Sequence, residues 1–161
     1  MTDQNLNLLD AIQIAMEAEQ KAAAFYTNAV RETSNPLGQK LFEQLAEFER
    51  HHYDKLLALR ESLRAAGVFI AYDDYSFSLP APSEVQGTQE ANTKTVMGII
   101  TMALNVEQEA EKRYAALAEQ TSDPEGRAMF QKLSEEERQH FLLLRKAYWS
   151  LNNRGVWEWS G

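Results

Sequence analysis

Cysteine is absent from the 161 residues, which removes disulfide frameworks, thiolate zinc sites, iron–sulfur centres and cysteine nucleophiles together. Any metal must be held by oxygen and nitrogen. Basic residues are in deficit, 16 Lys and Arg against 24 Asp and Glu, and the formal charge of −8 argues against nucleic acid or an anionic membrane surface as partner. Long hydrophobic runs are missing as well: the most apolar stretch, residues 96–104, falls far short of the roughly 20 residues that cross a bilayer. No basic segment followed by an apolar one marks a leader, so the expected location is cytoplasmic. With 44% hydrophobic residues at this length, a single domain over residues 1–161 is expected.

Glycine and proline are scarce, seven and four, and they gather at a few points: Pro36 and Gly38, Gly67, residues 79–87, Pro124 and Gly126, and Gly155. Between these points lie four segments, at about 6–33, 37–66, 91–121 and 125–152, rich in Ala, Leu, Glu, Gln, Lys and Arg. Their apolar residues recur at steps of three and four, which predicts four helices. Asn35-Pro36 and Asp123-Pro124 each read as a helix cap followed by proline in the first turn. Both connections are therefore short, and both helix pairs should form antiparallel hairpins.

The two halves repeat at a constant offset of 88 residues, and 15 of the 38 positions from 19 to 56 are identical to their partners. Pro36/Pro124, Gly38/Gly126, Glu49/Glu137 and His52/His140 are among them, which shared helical composition alone would not preserve. The repeats, at about 11–66 and 99–152, should be related by a pseudo-twofold axis. Residues 67–90 lack helical periodicity and join them as a long crossover. Extended, its 24 residues reach about 80 Å, more than the about 45 Å of a 30-residue helix, so a full-length crossover is possible. The crossover aromatics are expected to pack along the bundle surface.

The apolar stripes hold the informative exceptions. In the first predicted helix the stripe runs Leu9, Ile12, Met16, Glu19, Ala23, Tyr26, and in the second Phe42, Leu45, Glu49, His52, Leu56. The third gives Ile100, Ala103, Glu107, Ala110, Tyr114, and the fourth Phe130, Leu133, Glu137, His140, Leu144. Each stripe carries a glutamate where a core hydrophobe belongs. Two continue as Glu-x-x-His, whose i, i+3 spacing projects both side chains from one face. Four unpaired carboxylates in one core would cost several kcal/mol each, and no Lys or Arg stands in the stripes to offset them. Two divalent cations would balance the four charges, which points to a dinuclear metal site.

Across residues 8–150 the sequence resembles the rubrerythrin-like branch of the ferritin-like superfamily. The resemblance rests on Ala15-Met16-Glu17-Ala18-Glu19 through Tyr26, Glu47-Phe48-Glu49-Arg50-His51-His52, Glu107 through Tyr114, and Glu135-Glu136-Glu137-Arg138-Gln139-His140. It implies an all-α, ferritin-like four-helix bundle made of two antiparallel hairpins joined by the long crossover. It further implies Glu19 and Glu107 as terminal metal ligands, Glu49 and Glu137 as bridging ligands, and His52 and His140 as one nitrogen ligand per metal. Two departures stand out. Ala110, with Ala22 as its repeat partner, occupies the place where rubrerythrins carry an additional glutamate, and the four-cysteine rubredoxin module is missing.

Tyr26 and Tyr114, two turns beyond the terminal glutamates, should hydrogen-bond carboxylates and orient them. The flanking Glu17, Glu47, Glu109, Glu135 and Glu136 are expected to be mostly solvated, and His51 to face the surface or an interface. Carboxylate and imidazole donors suit two iron ions, with manganese or zinc as possible replacements. The expected activity is that of a non-haem di-iron oxidoreductase acting on peroxide or dioxygen, with an external electron donor. The alternatives are a ferroxidase or iron-storage protein with Fe(II) as substrate, or a non-catalytic metal-stabilised scaffold. Phe25, Leu37 and Leu57, read as outer apolar positions, and the aromatic C-terminal end suggest a homodimer.

Overall fold

The computed structural model describes residues 3–73 and 89–159. Four helices account for most of them: α1 (Asp3–Glu32), α2 (Pro36–Ala66), α3 (Thr93–Gln120) and α4 (Pro124–Arg154). Among the described residues no helix is long and apolar enough to cross a membrane.

The helix starts follow local chemistry. Asn35 caps α2, its side chain accepting from the Leu37 N–H, and Asp123 caps α4 by accepting from Gly126 N–H, each with proline at the first helical position. The same two helices end at Gly67 and Gly155, 88 residues apart, with φ of 66° and 68°, a left-handed conformation in which each glycine N–H returns to the carbonyl four residues earlier.

α1 packs along α2 and α3 along α4, and α1 also meets α3. Hydrogen bonds across the bundle give the directions. Tyr26 on α1 reaches Glu107 on α3, while Glu19, seven residues earlier, meets Tyr114, seven residues later. α1 and α3 are therefore antiparallel, as a full-length crossover requires. Most of that crossover, residues 74–88 with Tyr75 and Phe77, lies outside the described residues.

The buried apolar residues form two clusters. One gathers Tyr26, Phe42, Val96, Leu144 and Trp157; the other gathers Ile12, Leu56, Tyr114, Phe130 and Leu133. At about 1.5–3 kcal/mol per buried large side chain, these clusters supply the driving force that carries the polar belt between them. Each hairpin turn is covered by a ring from outside the repeat: a methyl group at Gly38 would collide with Trp157, and one at Gly126 with Phe69.

The turn region is tied together by Glu90, a buried carboxylate that accepts from Ser34 N–H and Oγ–H, Asn35 N–H, Asn92 N–H and Trp157 Nε1–H. Burial pushes its carboxyl upward, but these donors hold it below the usual range. One expectation fails in this region. Leu37 is 1% exposed, packed in the cluster with Trp157, and so is not an outer position; among the described residues the exposed large hydrophobes are Ile14, Val68, Met102 and Trp149.

Candidate metal centre

The four stripes deliver their exceptions to one level of the bundle. Glu19 from α1, Glu49 and His52 from α2, Glu107 from α3, and Glu137 and His140 from α4 are each at most 1% exposed. His52 Nδ1 lies 2.7 Å from Glu137 Oε1 and 3.5 Å from Glu19 Oε2. His140 Nδ1 lies 3.3 Å from Glu107 Oε2 and 3.4 Å from Glu49 Oε1. Adding 88 to one set of contacts, or subtracting it, generates the other, so the pseudo-twofold axis passes through the cluster.

Two overlapping quartets result. Donor atoms of Glu19, Glu49, His52 and Glu137 fall within 4.8 Å of one another, and so do those of Glu49, Glu107, Glu137 and His140. Glu49 and Glu137 belong to both, the pair for which the family resemblance implies bridging.

Apart from one another, several donors in the quartets have no hydrogen-bond partner among the described residues: Glu19 Oε2, Glu49 Oε1, Glu107 Oε2, both Glu137 oxygens and His52 Nδ1. Buried carboxylate oxygens without partners are expensive, and converging oxygen and nitrogen donors of this kind fit a pair of divalent cations.

The other oxygens of the outer glutamates are held. Tyr26 Oη donates to Glu107 Oε1 at 2.5 Å, and Tyr114 Oη donates to Glu19 Oε1 at 2.7 Å, both bonds buried. Burial, and then the facing carboxylate charges, push both phenols well above their ordinary value, so they remain donors. The expectation that these tyrosines contact carboxylates is met, each crossing to the opposite repeat.

Electrostatics divides the glutamates into two classes. Burial followed by the charges of the other three drives Glu49 well above the carboxylate range, and burial with the charges of Glu107 and Glu19 does the same to Glu137. Burial also pushes Glu19 upward, but its contact with Glu49 and the charge of His52 outweigh it and hold Glu19 below that range. For Glu107 burial is likewise outweighed, by His140, Glu137 and Tyr26. Burial alone would lower His52; the charge of Glu19 and the bond to Glu136 raise it well above the ordinary imidazole value.

The flanking glutamates are mostly solvated, as expected, and Glu136 is the exception. Glu17, Glu47, Glu109 and Glu135 are exposed as anticipated, but Glu136 is 8% exposed and accepts from His52 Nε2 at 2.8 Å and from Tyr72 Oη at 2.5 Å. Tyr72 thus reaches into the centre's surroundings instead of merely lying on the bundle, and His51 sits half-buried beside it, ring centroids 5.9 Å apart. The repeat partner of Glu136 is Phe48, whose ring meets His140 edge-on at 4.4 Å. Glu136 and Tyr72 escaped the sequence reading; the signal available was the mismatch of Phe48 and Glu136 inside an otherwise well-matched stretch.

Known proteins bear on this geometry in two ways. A solved structure of a hypothetical protein from Pyrococcus furiosus is similar in fold, with a TM-score of 0.72 and 23% identity over 93% of each chain. No curated protein matches significantly. The rubrerythrin family profile matches residues 1–60 and 98–156, which include all six clustered side chains, and on that match the chain belongs to the rubrerythrin family.

Proposed function

We propose that the two quartets hold two metal ions, iron in the working protein, and that the centre reduces peroxide or dioxygen with electrons from an external donor. The observation that carries this reading is the sharing of Glu49 and Glu137 between two quartets of buried donors without other partners. Family membership supports iron as the metal, since carboxylate and imidazole donors alone accept manganese and zinc too. A pair of ferrous ions held there would supply two electrons to an O–O bond.

The chain's own groups do the rest. Glu49 and Glu137 would link the two positions, Glu19 and Glu107 would close the outer sides, and His52 and His140 would each turn Nδ1 toward one of them. Tyr26 and Tyr114 fix the rotamers of Glu107 and Glu19, and Glu136 fixes the ring of His52. The apolar clusters lie on either side of the belt.

Anaerobic titration with Fe(II) tests the reading. Binding should saturate at two ions per chain, and added hydrogen peroxide should oxidise both, followed optically. Saturation at one ion or none would refute the dinuclear site. Sustained peroxide consumption with an external reductant separates a peroxidase from a ferroxidase, which would instead consume Fe(II) as substrate.

A further inference from the structure

Among the described residues, clefts on two sides of α1 reach the buried carboxylates, and their chemistry differs. The cleft between α1 and α2, about 650 Å³, is lined by Gln20, Thr27, Asn28, Arg31 and Arg50 and touches Glu19 alone of the six clustered side chains. The cleft between α1 and α3, about 640 Å³, ends on both Glu19 and Glu49. Ala18, Ala22, Phe25, Met102, Val106 and Ala110 wall it, while the exposed Lys21, Thr101, Asn105 and Glu109 stand at its rim.

This second cleft is open because Ala22 and Ala110, equivalent in the two repeats, present only methyl groups where α1 and α3 face each other. Its size exceeds the needs of the smallest substrates. Hydrogen peroxide is little larger than water, whose share of liquid volume is about 30 Å³, and would leave the apolar walls hydrated. A cleft of several hundred Å³ with mostly apolar walls and a few polar groups at one end is the form of an organic-ligand site. Here the polar end is the floor, where Glu19 Oε2 and Glu49 Oε1 are buried without hydrogen-bond partners outside the cluster. An occupant that matches has an apolar body and a small polar head entering first.

We propose that the α1–α3 cleft binds an alkyl hydroperoxide, its hydrocarbon between Ala22, Met102, Val106 and Ala110 and its peroxide head toward Glu19 and Glu49. The assignment rests on the peroxide reading above and narrows it to a substrate class. The reaction breaks the O–O bond with two protons and two electrons, the electrons from ferrous iron oxidised to ferric, and yields the alcohol and water. Phe25 and Arg113 are repeat partners, so one end of the cleft offers an aromatic wall and the other a cation, and an asymmetric substrate has one preferred orientation.

The test uses binding and turnover separately. With protein loaded with redox-inert Zn(II) and labelled at methionine methyls, titration with cumyl alcohol should shift the Met102 resonance saturably and leave Met129, in the Phe130 cluster, unmoved. Ala22→Leu, which fills the cleft, should abolish the shift, while Met102→Glu, an exposed position that tolerates a charge, removes the reporting methyl and is read by turnover alone. On iron-loaded protein both should lower the ratio of kcat/KM for cumene hydroperoxide to that for hydrogen peroxide by about tenfold or more. The proposal is overturned by no saturable Met102 shift, by a ratio unchanged in both folded variants, or by a Met102 shift that follows protein dilution, the mark of a second copy lying on the cleft. Cumyl alcohol binding without consumption of either peroxide would refute the peroxide reading and, with it, this substrate class, while leaving an apolar ligand site.

Discussion

In metal-free protein the buried cluster should make acid, not alkali, the stabilising condition. Glu49 and Glu137 hold protons well above their ordinary value of 4.5, and His52 holds one well above 6.5. A folded state that keeps a proton the unfolded chain has lost is destabilised as pH rises, by about 1.4 kcal/mol per pH unit for each such group. The two glutamates together give at most about 2.7 kcal/mol per unit from pH 4.5 upward until their elevated values are passed, and His52 adds to the slope above pH 6.5. Glu19 and Glu107 run the other way: their contribution is present above pH 4.5 and lost as pH falls through their lowered values. Stability of the metal-free chain should therefore peak in weak acid and fall toward neutrality, by at most about 5–10 °C in Tm per unit from the two glutamates and more above pH 6.5 where His52 joins them. Metal needs the carboxylates ionised and the imidazoles neutral, so loading should release protons and reverse the slope. At 100 times Kd one bound ion adds about 2.7 kcal/mol, again about 5–10 °C. Thermal melts of chelator-treated and Fe(II)-loaded protein from pH 5 to 8, anaerobically, with proton release followed by an indicator dye, read both effects. A metal-free Tm that is flat or rises across that range would refute protonated Glu49 and Glu137, and an Fe(II)-independent Tm would refute the ligand set.

Replacing Tyr26 or Tyr114 by Phe removes a buried hydrogen bond to a carboxylate and should cost about 1.5–3 kcal/mol in urea unfolding, with metal affinity reduced about 10–100-fold. Glu136→Gln should weaken the metal position served by His52 by a similar factor and spare the one served by His140, seen as separation of the two steps in a calorimetric titration. Glu90→Ala strips five donors of their acceptor and should destabilise the chain by about 3 kcal/mol or more without changing metal stoichiometry. Gly38→Ala forces the ring of Trp157 to move and should lower stability by about 1–3 kcal/mol, with a shift in tryptophan emission.

What could be read in advance was whatever depends on positions along one helix. The caps Asn35 and Asp123, the prolines after them and the glutamates inside apolar stripes are local or periodic signals, and the 88-residue offset multiplied their weight. What depends on a segment arriving from elsewhere was not legible. Glu136 lies between Glu135 and Glu137 and counted only among flanking glutamates expected to be mostly solvated; Tyr72 from the crossover and His52 from α2 make its environment. Leu37 looked peripheral because Trp157, 120 residues later, covers its turn. Ala22 and Ala110 were legible as the place of an absent carboxylate, but the α1–α3 cleft they leave depends on how the two helices meet.

The crossed tyrosines say something about how such a chain is put together. Within one hairpin Tyr26 never meets Glu19, and within the other Tyr114 never meets Glu107; each phenol finds its acceptor only on the opposite hairpin. Half a chain is therefore chemically unfinished, yet two copies of a single half would complete each other by rotation. A self-associating helical hairpin of about 60 residues carrying Glu, Tyr and Glu-x-x-His would already own every group in the cluster. Fusion then adds what a symmetric ancestor could not have: one half free to place Glu136 where the other keeps Phe48, and Arg113 where the other keeps Phe25. Cutting the covalent link should leave halves that still find each other, and the differences between them are where the joined chain has used its freedom.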